Sequence, residues 1–229
     1  MVKPDLIIIW PRAYDYPVCR SLVSQNRDNF GKVIVSFTHN DVERDYREWL
    51  KETHPDFTFV DCDGGVNWYD EAINIALEHV ESEYVMFLEQ DFFFDAKFLR
   101  KILNLVEDRD FVCLEQGSRL HLACFVTKMK LINKTLRHFQ AIGRYGLDCF
   151  DLFCAEIIIK SRDWSTLEGF SGYKHLNGLT HNLRLGIQKD FKLMYEPKEF
   201  KHYLNFSLKM DVKQNPEWVK ITKEILKEL

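Results

Sequence analysis

Leu6–Trp10 is an unbroken run of large apolar residues closed by Pro11. A run that does not alternate reads as a strand buried on both faces. Lys32–Thr38, Phe57–Asp61 and Tyr84–Leu88 read as three further strands. The segments between them, residues 15–30, Val42–Glu52 and Asp70–Val80, place apolar residues at helical spacing with charges outward. Strand–helix alternation with strands of this kind predicts an α/β fold, a mostly parallel central sheet flanked by helices on both faces.

After a further helix at Ala96–Val106 the pattern loosens. Phe111–Glu115 and Leu122–Val126 read as strands, residues 128–140 as a basic mixed stretch, and Asp148–Lys160 as helical. Residues 163–183 carry Gly169, Gly172 and Gly178 among Ser, Thr and Asn and read as loop, with a last strand at Phe191–Tyr195. Asn215 followed by Pro216 is a helix start, a capping residue before proline at the first helical position. That helix sets Trp218, Ile221, Ile225 and Leu226 on one side, expected to dock on the core. No linker, repeat or low-complexity tract interrupts the chain, so residues 1–229 are expected to form a single domain.

Composition narrows the class. Lys plus Arg number 31 against 35 Asp plus Glu, a net charge of −4, which gives no support to nucleic-acid binding through the phosphate backbone. Hydrophobic residues at 46% exclude a disordered chain. The N-terminal apolar stretch is too short for a signal-peptide core or a transmembrane segment. None of the six cysteines forms a C-x-x-C pair, and several lie in apolar runs, so they read as free thiols in a reducing, cytoplasmic setting. Phenylalanine is in excess, at 18 residues.

In open parallel sheets ligands bind beyond the carboxyl ends of the strands. The first strand here ends at Pro11-Arg12-Ala13-Tyr14, the second at Thr38-His39-Asn40-Asp41, the third at Asp61-Cys62-Asp63 and the fourth at Glu89-Gln90-Asp91. One polar, largely acidic rim results, and carboxylate oxygens suit a hard divalent cation. No P-loop or dinucleotide-binding glycine pattern follows the first strand.

The order of strand, Pro-x-x-Tyr turn, helix and strand, then Gly-x-x-Trp-Tyr-Asp-Glu-Ala-Ile-Asn-x-Ala before YVMFLEQDFFF, resembles family 2 glycosyltransferases of the GT-A fold. The resemblance covers about residues 5–105 well and the rest loosely, dividing the domain into a nucleotide-sugar half (1–105) and an acceptor half (106–229). It implies a metal-dependent, inverting sugar transfer from a nucleotide-diphosphate donor, with Mn2+ or Mg2+ as cofactor. The acceptor would be a glycan, a lipid-linked or a small-molecule hydroxyl. Glu89-Gln90-Asp91 stands where the family carries its metal-binding acidic motif, with Glu in place of the first Asp. Asp91 is then the firmer metal ligand, and Glu89 and Gln90 contact ribose or water.

The resemblance also implies that Pro11, Ala13 and Tyr14 line the base pocket, with Asn40, Asp41, Asp61 and Asp63 bonding base or ribose. Trp68 and Tyr69 either stack on a sugar or staple their helix to the core. Asp148, then Asp151, is the candidate base for the acceptor hydroxyl, with helix capping as the structural alternative for Asp148. Among the late histidines His202 is the first candidate metal ligand, ahead of His181 and His175. Phe92-Phe93-Phe94, Phe150 and Phe153 are expected around the rim, keeping water from the donor. A catalytically degenerate GT-A-like module and a nucleotidyltransferase are the rival readings. The latter lacks the expected glycine-rich basic turn after the first strand.

Overall fold

The computed structural model describes residues 1–10, 23, 26–37, 48, 51–52, 54–62, 68–89, 92–116, 119–137, 139 and 150–175. The strands are β1 (Asp5–Trp10), β2 (Val33–Phe37), β3 (Thr58–Asp61), β4 (Tyr84–Glu89), β5 (Phe92–Phe94), β6 (Phe111–Gln116), β7 (Arg119–Lys128), β8 (Trp164–Thr166) and β9 (Tyr173–His175). The helices are α1 (Trp68–Glu78), α2 (Ala96–Leu105), α3 (Met129–Ile132) and α4 (Asp151–Lys160). The predicted strands at 191–195 and the predicted C-terminal helix lie outside the described residues.

Seven strands form one sheet in the order β3-β2-β1-β4-β7-β6-β8. β1 pairs in parallel with β2 and β4, β2 with β3, and β6 with β8. The unalternating runs are explained by burial on both faces. Leu6, Ile8, Val33, Val35, Met86 and Leu88 pack with Phe98, Leu99, Ile102 and Leu103 of α2. Ile7, Ile9, Ile34, Val85 and Phe87 pack on the other face with Ile73, Ala76 and Leu77 of α1 and with Phe153 and Ile157 of α4. Helix α2 starts cleanly because the Asp95 side chain accepts from Phe98 N at 2.7 Å, an N-cap of the favoured kind.

One strand departs from the parallel pattern. β7 lies between β4 and β6 and runs antiparallel to both. Only two residues separate Gln116 from Arg119, which permits a hairpin, whereas a parallel return needs a crossover of about a dozen residues. The stretch expected as loop also contains two three-residue strands, β8 and β9. Strands this short carry no readable periodicity, and their pairing partners β6 and β5 are distant in sequence.

The aromatic excess is mainly core. Phe92, Phe94 and Phe98 are buried together, Tyr173 stacks on Phe92 at 5.3 Å, and Phe139, Phe150 and Phe153 pack beneath the other face. Phe92, Phe94, Phe150 and Phe153 therefore do not form the water-excluding fence expected at the rim. They are held in the packing that supports it.

Candidate active site

Parallel register brings the four strand ends to one edge. Asp61 stands opposite Phe37, Phe37 opposite Trp10, and Glu89 opposite the neighbouring Ile9. The strands then lead into the residues the sequence singled out. Pro11, Ala13, Tyr14, Asn40, Asp41, Asp63, Gln90, Asp91, Asp148 and His202 all lie outside the described residues, and Asp61, Glu89 and Asp151 lie within them.

Asp61 and Glu89 mark the two ends of this edge. Three inter-strand steps of about 4.8 Å separate β3 from β4, so the two residues stand about 14 Å apart. Asp61 is exposed, with Lys51 Nζ 3.4 Å from its Oδ2. Glu89 is more enclosed, its side chain 24% exposed. The spacing suits an elongated ligand lying along the strand ends, held by one carboxylate at each extreme.

A residue that the sequence did not indicate stands beside Glu89. The β6–β7 ladder jumps from Cys113 opposite Phe125 to Leu114 opposite His121, an irregularity that leaves residues 122–124 of β7 without a partner on β6. Such breaks in a ladder commonly re-aim side chains beside functional sites. Here the imidazole of His121 comes within 3.9 Å of Glu89 Oε1 through Nδ1. That nitrogen also accepts from Ala123 N at 3.1 Å, which leaves the ring proton of a neutral His121 on Nε2. No motif in the sequence marks His121. Only the pairing of β7 with β4 places it.

The second half of the chain approaches the same end. Because β7 runs against β4 with Leu88 opposite Cys124, the residues of β7 before Cys124 extend past the end of β4. Leu120 O accepts from Cys154 Sγ at 3.9 Å, which sets the first turns of α4, and Asp151 with them, at the rim end of the sheet. An acidic residue in that turn is favoured by the helix dipole. The helix cap expected of Asp148 falls instead to Phe150, which makes no side-chain cap bond. On the same face of the sheet α1 begins, and Asp70 Oδ1 accepts from Phe139 N at 2.9 Å.

The acidic segment is braced by a second, two-stranded sheet. β5 pairs antiparallel with β9, with Phe92 opposite His175. Among the late histidines, His175 is the one whose backbone is placed next to the residue following Asp91, and His181 and His202 lie outside the described residues.

The Glu89 carboxylate offers oxygen donors that suit Mn2+ or Mg2+, whereas His121, with Nδ1 taken by Ala123 N and its proton on Nε2, offers a hydrogen-bond donor. Among the described residues no group of three or more potential ligands gathers. Burial pushes the thiols of Cys113 and Cys124 far above the ordinary range, so both stay protonated.

Residues 18–120 match the model of glycosyl transferase family 2. Among solved structures, a mannosyltransferase from Pyrobaculum calidifontis, in complex with GDP-Man and Mn2+, superimposes with a TM-score of 0.58 at 18% identity, covering 99% of this chain and 74% of that one. TarS 1–349 from S. aureus, in complex with UDP-GlcNAc, gives 0.54 at 14% identity, covering 98% and 71%. The chain spans 44% of a longer TarS chain. No curated protein matches the sequence. Residues 18–120 are thus similar to glycosyl transferase family 2, and the chain has a GT-A-like α/β fold.

Proposed function

We propose that this chain transfers a sugar from a nucleoside-diphosphate donor to an acceptor hydroxyl, with inversion and with Mn2+ or Mg2+ bound at the end of β4. The observation that carries the reading is the shared edge of four parallel strand ends, bounded by Asp61 and Glu89. The mannosyltransferase bound to GDP-Man and Mn2+ and the TarS complex with UDP-GlcNAc support the donor class and the metal.

In this reading residues 1–105 hold the donor and residues 106–229 the acceptor. Pro11, Ala13 and Tyr14 enclose the base, while Asn40, Asp41, Asp61 and Asp63 bond base and ribose. Glu89 and Gln90 contact the ribose or water. Asp91, with His202, would hold the cation, which supplies positive charge against the departing diphosphate. Asp148, or Asp151 as the second candidate, takes the proton of the acceptor hydroxyl as its oxygen attacks the anomeric carbon and the bond to the diphosphate breaks. The acceptor is a glycan, a lipid-linked or a small-molecule hydroxyl.

Calorimetric titration of UDP and GDP, with and without Mn2+, tests this directly. Metal-enhanced binding of one of them is expected, abolished by Asp91→Ala. Asp148→Asn is expected to keep donor binding and lose transfer. Absence of metal-enhanced binding for both nucleotides would refute the reading, and binding without turnover in the unaltered chain would favour a degenerate module.

A further inference from the structure

At the end of the sheet away from the rim, Lys128, Lys130, Lys134, Lys160 and Arg162 line a cleft of about 270 Å3 together with a single acid, Asp110. Strand direction fixes the location. Lys128 pairs with Tyr84, the first residue of β4. Five steps of about 3.3 Å then separate it from the level of Glu89, about 17 Å in all.

Some of this charge has a local use. Lys128 Nζ donates to Glu107 O at 3.4 Å, and Lys160 Nζ donates to Lys134 O and stands 4.0 Å from Glu156 Oε1. Asp110 is occupied by Arg162 N at 2.7 Å. The Lys130 and Lys134 ammonium groups and the Arg162 guanidinium have no hydrogen bond or ion pair among the described residues. Like charges gathered in a concavity repel one another, and an anion from outside relieves that repulsion.

Exposed apolar side chains lie beside the same cleft. Among the described residues the large ones are Met1, Leu136, Ile158, Ile159 and Trp164, and Leu136 and Trp164 each stand two positions after a cleft residue, Lys134 and Arg162. Ile158 and Ile159 precede Lys160 on α4. Leu136 is fastened to that helix because its N–H donates to Glu156 Oε2 at 2.7 Å. Trp164 stacks on Phe111 at 5.3 Å, on the sheet face that α4 covers, and keeps an exposed edge. Ile159 is 81% exposed and Leu136 68%.

Cations alone would suit any anion, and apolar side chains alone any hydrophobic surface. Together they select a partner that offers both. We propose that this surface docks the protein onto a bilayer containing anionic phospholipid. Headgroup phosphates meet Lys130, Lys134 and Arg162, and Ile159, Leu136 and Trp164 enter the boundary between headgroups and acyl chains. Among the described residues no helix is long and apolar enough to cross a membrane, so the contact is a surface one there. The donor rim faces away, and the inference does not rest on the sugar-transfer reading.

Flotation of the full chain with vesicles tests it. Binding is expected to vesicles of phosphatidylcholine mixed with phosphatidylglycerol, not to phosphatidylcholine alone, and to weaken with salt. Each cation near an anionic surface is worth about fivefold in binding, so Lys130→Gln/Lys134→Gln should cost about 25-fold. Ile159→Ser/Leu136→Ser should weaken binding severalfold, with melting temperature and UDP or GDP titration unchanged in both variants. No vesicle binding, as expected if an acidic protein or a second copy covers this surface, overturns the proposal. So does equal binding to neutral vesicles, or binding that survives either double substitution.

Discussion

Asp5 holds the rim in register from the opposite end of the sheet. It is 2% exposed, and its carboxylate accepts from Lys32 N at 2.7 Å, Glu81 N at 2.7 Å and Ser82 N at 2.9 Å. One side chain at the start of β1 thus ties the chain entering β2 and the chain entering β4. Asp5→Ala leaves three backbone N–H groups without their acceptor. A hydrogen bond to a charged acceptor is worth about 1.5–3 kcal/mol, and since the three share one group the expected loss is about 3–5 kcal/mol. That is a large part of a typical stability of about 5–15 kcal/mol. For a chain of 229 residues it lowers the melting temperature by roughly 10 °C. Asp5→Asn should fare no better, because its amide NH2 would face donors.

Gly31 supplies an internal check. A Cβ there would stand 2.3 Å from Asp5 Oδ1. Gly31→Ala should destabilise the unaltered protein and cost little in the Asp5→Ala background, with a coupling of at least about 1 kcal/mol in the double-mutant cycle. Urea unfolding followed by circular dichroism measures all four proteins. A loss below about 1 kcal/mol for Asp5→Ala at unchanged m-value, or additive effects of the two substitutions, would refute the argument.

Two further outcomes follow from the structure. Gly172 has φ +89°, and a Cβ on it would lie 2.7 Å from Asp95 Oδ2, while its carbonyl accepts from Asp95 N at 2.8 Å. Gly172→Ala should therefore cost about 1–3 kcal/mol in urea unfolding and, by disturbing β5 next to Asp91, weaken nucleotide binding; an unchanged midpoint would contradict it. The thiols of Cys113 and Cys124 stay protonated in the fold but ionise in the unfolded chain near pH ~8.5. The folded state then holds more protons, so their contribution is fully present below that pH and falls as pH rises above it. Cys113→Ala should flatten the alkaline decline in urea midpoint, and an identical decline would count against burial as its cause.

The rim was legible from the chain alone for a physical reason. In a parallel α/β sheet each strand runs in the same sense, so the residues after each apolar run must arrive at one edge whatever the strand order. Periodicity also showed which runs are covered on both faces, because burial leaves its mark within a single element. Asp61 and Glu89 were placed at that edge this way, whereas Asp151 was singled out only by the family resemblance. Long-range pairing left no such mark. The antiparallel insertion of β7, the ladder irregularity that carries His121 to Glu89, and the pairing of β9 with β5 join residues dozens of positions apart, and their stability comes from packing partners that no local pattern reveals. The same holds for the phenylalanines. Their number could be counted from the chain, but the packing of the two sheet faces decided that Phe92, Phe94, Phe150 and Phe153 support the rim from beneath.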